Sequence, residues 1–212
     1  MYQLRLCNAY AWQLPLEMRR VEAPMLVEHP LPYKACRDYR LPLREGDQLE
    51  FSAGDVSIGT FSVRGLPQDP RSQLLLIPRR RDAVSMAVAF DSHIFHPAVG
   101  PQVAVIDAYQ GAQRSILRIK EPTREEELSF NSVVDVVPGS YRLTLEGASR
   151  RIGDTPQTTV LNTQGNSDYV VLRVGTGSES WPEELIVFPH SGGARATVCA
   201  AVVALLGLLS AM

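Results

Sequence analysis

"NAYAWQLPLEMRR" (residues 8–20) and "DAYQGAQRSILRI" (residues 107–119) open two stretches of one chain in the same way. Each follows a short apolar run with strand character, "YQLRLC" (2–7) in the first case and "PQVAVI" (101–106) in the second. Beyond each polar-aromatic turn ("NAY", "DAY") comes a second segment with apolar residues two apart, Leu14 and Leu16 in one copy, Ile116 and the Leu117–Ile119 pair in the other. Period two is the spacing of a half-buried strand, because successive side chains leave a strand on opposite faces.

The correspondence continues downstream. "LREGDQLEFSAG" answers "VVPGSYRLTLEG", each with a glycine opening a strand (Gly46, Gly139) and another closing it (Gly54, Gly147), which is hairpin chemistry. "SIGT" (57–60) answers "RIGD" (151–154), and "SQLLLIP" (72–78) answers "DYVVLRV" (168–174). Each copy ends on an apolar strand, "AVSMAVAF" and "EELIVF". The gaps between phrases differ by a few residues, as in a diverged duplication. Before the C-terminal tail no stretch sustains a 3.6-residue apolar period. The expected fold is therefore all-β: two tandem small β-sandwiches of roughly seven short strands each. The expected boundaries are residues 1–96 and 101–190, joined by 97–100 within "HPAVGP", whose prolines and glycine stop a strand from running through.

Composition agrees. Of 212 residues, 45% are hydrophobic and 21% charged, enough to fill a core and too apolar for a disordered chain. Fifteen prolines and 15 glycines are scattered rather than clustered, punctuating short segments. With 21 basic and 23 acidic side chains the net charge is -2, which supplies no basic face for a nucleic acid. Three cysteines are too few for a disulfide-built scaffold, and their spacing is not that of a zinc site. Cys7 and Cys36 either pair in an oxidising compartment or stand as buried thiols. Cys199 lies in the hydrophobic tail.

That tail, "ATVCAAVVALLGLLSAM" (196–212), carries no charge and follows a Gly-rich hinge at 191–195. At a rise of about 1.5 Å per residue such a helix spans about 25 Å, the lower limit for a ~30 Å hydrocarbon core. It is apolar all round, without the polar face of a surface helix. The expectation is a single-pass membrane anchor with Val198, Val202, Leu205, Leu206, Leu208 and Leu209 offered to lipid or to neighbouring membrane helices. A GPI signal is the alternative, although only "ARAT" separates the small residues at 191–193 from the apolar run. The N-terminus reads as a strand and lacks the basic and apolar regions of a secretory signal, so the chain either stays on one side of a membrane or has lost a presequence.

Chemistry-bearing motifs are scarce. No nucleophile elbow, phosphate loop, dinucleotide fingerprint or H-E-x-x-H occurs, and "GTGSES" (175–180) reads as a hairpin loop between strands. His93 and His96 in "HIFHP" have a spacing that suits metal on a helix, but on an extended segment they point to opposite faces. No catalytic residue, cofactor or metal is expected. "PRRRD" (78–82) and "REEE" (124–127) read as charged loops. Arg79, Arg80 and Arg81 are candidates for docking to acidic headgroups or an acidic partner. Trp12 and Trp181, beside loop-forming prolines, are candidate contact anchors.

The phrases "VIDAYQG" (105–111), "VVPGSYRLTLEG" (136–147) and "DYVVLRVG" (168–175) resemble those of secreted β-sandwich domains of the AlgF type, and of the broader extracellular β-sandwich domains in which similar turn-and-strand wording recurs. The second half matches better than the first. The resemblance implies two tandem β-sandwich halves and a non-enzymatic accessory role, in the AlgF case in polysaccharide O-acetylation. Taken with the tail, the expected function is a membrane-anchored docking or structural subunit of a larger membrane complex, of respiratory or photosynthetic type for example. Its expected partners are membrane protein subunits and the bilayer, with no nucleic acid. The alternative is an AlgF-like or GPI-type cell-surface binding protein.

Overall fold

The computed structural model describes residues 1–21, 29–121, 124–147, 156–165 and 167–189. It is all-β, with four sheets forming two sandwich-like halves. The first half holds β1 (Tyr2–Cys7), β2 (Leu16–Arg20), β3 (Cys36–Leu41), β4 (Gln48–Ala53), β5 (Val56–Ser62), β6 (Gln73–Arg80) and β7 (Val88–Phe95). The second holds β8 (Gln102–Asp107), β9 (Ser115–Lys120), β10 (Glu125–Leu128), β11 (Ser132–Asp135), β12 (Gly139–Gly147), β13 (Gln157–Thr163), β14 (Asp168–Val174) and β15 (Glu184–Phe188). The expected tail helix and its lipid-facing residues lie outside the described residues, as do Cys199 and the "RIGD" phrase. Among the described residues no helix is long and apolar enough to cross a membrane.

Both halves use one strand plan. In the first, one sheet runs β3-β1-β6-β7 and the other β2-β4-β5. In the second the orders are β11-β8-β14-β15 and β10-β9-β12-β13, the same plan with β10 added at an edge. Among the described strands the parallel pairing of each half falls at the same place, β1 with β6 and β8 with β14. The turn after the first strand is repeated atom for atom. Asn8 Oδ1 accepts the Tyr10 N–H at 2.9 Å, and Asp107 Oδ1 accepts the Tyr109 N–H at 3.1 Å. The Ala9 N–H then donates to the carbonyl of Pro78 at 3.0 Å, and the Ala108 N–H to that of Arg173 at 2.8 Å. These Asx turns explain why "NAY" and "DAY" recur, since a short side-chain acceptor closes the turn two residues on.

The two kinds of sheet have different sequence patterns for a physical reason. Outer strands such as β4 and β12 alternate exposed and buried positions, with Leu49, Phe51 and Ala53, and Tyr141, Leu143 and Leu145, turned inward. The central strands β1, β6, β8 and β14 are apolar at consecutive positions because they are covered on both faces. Leu4, Leu6 and Leu76 fill the first sandwich, and Val103, Val105, Tyr169 and Val171 fill the second. The alternate residues (Cys7, Leu75, Ile77, Ala104, Ile106, Val170, Leu172 and Val174) form a third core in which the two halves pack on each other. The molecule is thus a stack of four β-layers.

Cys7 and Cys36, opposite one another on β1 and β3, form a disulfide. Cys7 is fully buried in the core between the halves.

Candidate functional site

Most of the charged and aromatic candidates are engaged inside the protein. "PRRRD" is not simply a loop: Arg79 and Arg80 belong to β6. Arg79 pairs with Asp91 of β7 at 2.6 Å. Arg80 is buried, donating to the carbonyls of Val84 and Ser85 and lying 5.9 Å from the Trp12 ring centroid. Only Arg81 is broadly exposed, with a loose 3.9 Å approach to Asp82. "REEE" likewise enters a strand, β10, where Leu128 is buried and the three glutamates remain exposed. Desolvation of a guanidinium is costly, so an arginine next to apolar strands is held by several acceptors where it is buried.

Trp12 packs against the first core, and Trp181 meets Tyr33 edge-on across the boundary between the halves, with centroids 5.1 Å apart. The "GTGSES" segment connects the antiparallel pair β14–β15 as a hairpin loop. The backbone of Gly175, at φ +116°, runs so close to the Pro182 carbonyl that a Cβ would collide with it.

Two buried arginines carry networks that reading the sequence missed. Arg5 on β1 faces the second half and binds the Asp38 carboxylate twice, at 2.8 and 2.9 Å, while also donating to the Asp168 carbonyl. Toward the other end of β15, Lys34 pairs with Glu184 of the second half. Arg173 on β14 lies within the second half, bound to Asp107 at 2.9 Å, to Glu183 at 2.6 Å and to the Gln113 carbonyl at 2.6 Å. Its guanidinium carbon sits 4.3 Å from the Tyr109 ring centroid. The Ser115 hydroxyl donates to the same Glu183 oxygen at 2.7 Å, which joins β9, β14 and the loop before β15 in one network. The available signal was a lone arginine inside an apolar strand, "LRL" and "LRV".

Asp168 stands apart electrostatically. Burial pushes its carboxyl up to about 6, Arg5 pulls it down, and Asp38 pushes it up again. His93 is half-buried with its ring edge-on to Phe95 at 5.1 Å, and burial followed by His96 holds its pKa below the usual histidine range. His96 is exposed, beyond the end of β7. Among the described residues no group of three metal-ligating side chains comes together.

The principal cavity, of about 400 Å³, lies between the sheets of the first half. Its floor is Leu4, Leu49 and Leu76, all deeply buried, and its walls include Phe61 and Leu74. Arg64, His93 and His96 border it. The loop carrying Arg64 is held by Glu45, whose carboxylate accepts the N–H groups of Gly65 at 2.5 Å and Leu66 at 3.2 Å. A leucine-rich space edged by a few polar groups can retain a small molecule without doing covalent chemistry on it. No protein-family model matches this chain, and no curated protein matches it.

Proposed function

We propose that the protein works by binding: a tandem β-sandwich block, derived from a diverged internal duplication, that serves as a docking or structural subunit of a membrane assembly. The observation that carries this reading is the shared core between the halves. It holds the end loops of both sandwiches in one fixed geometry, and loops on a rigid frame present contacts at low entropic cost. The uncharged run at 196–212 supplies an anchor, which raises the effective concentration toward membrane partners. The polar networks around Arg5 and Arg173 support a non-catalytic role, because each guanidinium is held by carboxylates and backbone carbonyls of the protein itself.

A second reading, an AlgF-like accessory role in polysaccharide modification, draws on the phrases at 105–111, 136–147 and 168–175. They build the first strand and turn, the hairpin and the central strand of the second half. Fractionation and co-purification of the full chain test both. The membrane-subunit reading expects a stoichiometric membrane complex that is lost on deleting 196–212. A full chain that stays in the soluble fraction without detergent overturns it, and a polysaccharide-modifying machine among the co-purifying proteins favours the second reading.

A further inference from the structure

The two halves share one strand plan but line corresponding strands with different side chains around the first half's cavity. Strand β4 corresponds to β12 in the shared plan, and where β4 turns Leu49, Phe51 and Ala53 inward, β12 turns in Tyr141, Leu143 and Leu145. On the facing sheet Leu4 pairs with Leu74 and Val103 with Tyr169, so Leu74 is equivalent to Tyr169. Two leucines thus border the cavity on strands whose counterparts in the second half each carry a tyrosine in the core. Both tyrosine hydroxyls are satisfied locally: Tyr141 donates to the Val137 carbonyl at 2.7 Å, and Tyr169 accepts the Gln164 N–H at 2.9 Å.

From this we infer that the cavity is a binding site for a single-chain aliphatic molecule with an anionic head group. The chain would lie on Leu4, Leu49 and Leu76, where its methylenes leave water for an apolar surface. A cavity of about 400 Å³ falls in the range of small-molecule sites. The charge at the border sets the head group. Arg64 is exposed and has no carboxylate partner among the described residues. The nearby carboxylates are already committed, Glu45 to the backbone of Gly65 and Leu66 and Asp69 to Arg71 at 2.8 Å. His93 and His96 add donors and no negative charge. This site is independent of the docking reading and stands or falls by itself.

Titration of the full chain with sodium dodecanoate, dodecyl phosphate and the uncharged dodecanol, each below its aggregation concentration, tests the site by calorimetry. Saturable one-to-one binding of at least one anion is expected. The better of the two anions identifies the head as a carboxylate or a phosphate. Leu49→Tyr combined with Leu74→Tyr fills the cavity with two bulkier side chains and should abolish binding of all three probes. Arg64→Glu, at an exposed position that leaves folding intact, should weaken the anions about tenfold while leaving dodecanol unchanged. Absence of saturable binding to the folded wild-type chain overturns the site, as does undiminished binding by the double tyrosine variant. Dodecanol bound as tightly as both anions, with Arg64→Glu silent, overturns the anionic head group.

Discussion

Arg5 of the first half donates to the backbone carbonyl of Asp168 in the second, while its other nitrogens grip the carboxylate of Asp38. Its guanidinium also lies 4.9 Å from the Phe188 ring centroid. One side chain thereby ties β1, β3, β14 and β15 together at the boundary of the two sandwiches. The contact pairs a buried charge with a backbone acceptor of the other half.

Replacing Arg5 by methionine keeps much of the apolar stem and removes the donors. The expected loss is about 2–3 kcal/mol, since hydrogen bonds to charged groups are the stronger class. Urea unfolding measures it. The partly exposed Asp38 rehydrates, which is why the loss stays below that of a fully buried pair. An unchanged midpoint would mean that the arginine does not hold the halves together.

Asp168 makes stability depend on pH in an unusual direction. Its carboxyl titrates near 3.8 when unfolded and at about 6 in the folded protein, so between those values only the folded state holds the proton. Stability from this group is therefore present at the acid side and is lost as pH rises through that window. Asp168→Asn should flatten the slope between pH 4 and about 6. The opposite loss, below pH 3.8, belongs to Asp69 and Asp82, whose carboxyls are held down at about 2 by hydrogen bonds from Arg71 and from Ser85 respectively. Thermal midpoints measured from about pH 2 to 7 separate the two effects.

The arginines differ sharply in what they hold. Arg173, with a side chain 5% exposed, is clamped by Asp107 and Glu183, and Arg173→Ala leaves two carboxylates uncompensated, at a cost of about 3–5 kcal/mol. Arg81, 68% exposed, should change stability by less than about 0.5 kcal/mol when replaced by alanine. Denaturant titration of both variants side by side checks the contrast. Equal effects would contradict the burial argument.

The Cys7–Cys36 disulfide closes a loop with a sequence separation of 29 residues. Constraint of the unfolded chain by a loop of this length corresponds to about 3.6 kcal/mol. Cys7→Ala together with Cys36→Ala should lower stability by roughly that amount, plus a smaller packing loss at Cys7. Unfolding with and without reductant, with thiol counting by mass spectrometry, gives the comparison.

The strands were legible in the amino-acid sequence because their signals are local. The Asx turns at Asn8 and Asp107, the glycines at 46, 54, 139 and 147, and period-two alternation in "QLEFSA" and "GSYRLTLEG" each act over a few residues. "DYVVLRV" already matched β14 in full. The apolar continuity of β1, β6, β8 and β14 was visible too, but its cause was not. A run buried on both faces needs a second covering layer, and only the tertiary packing of Ala104, Ile106 and Leu172 against Leu75 and Ile77 supplies one. The same holds for charge. "RRR" looked like a surface run by composition, yet the register of β6 turns Arg79 toward Asp91 and Arg80 toward the Val84–Ser85 backbone. Pairing of Cys7 with Cys36 also awaited strand register, because thiols 29 positions apart meet only when β1 and β3 align them. The cavity depends on which residues two distant strands bring to one end, Leu49 and Leu74 here and Tyr141 and Tyr169 in the other half, a relation between sheets that no local pattern encodes.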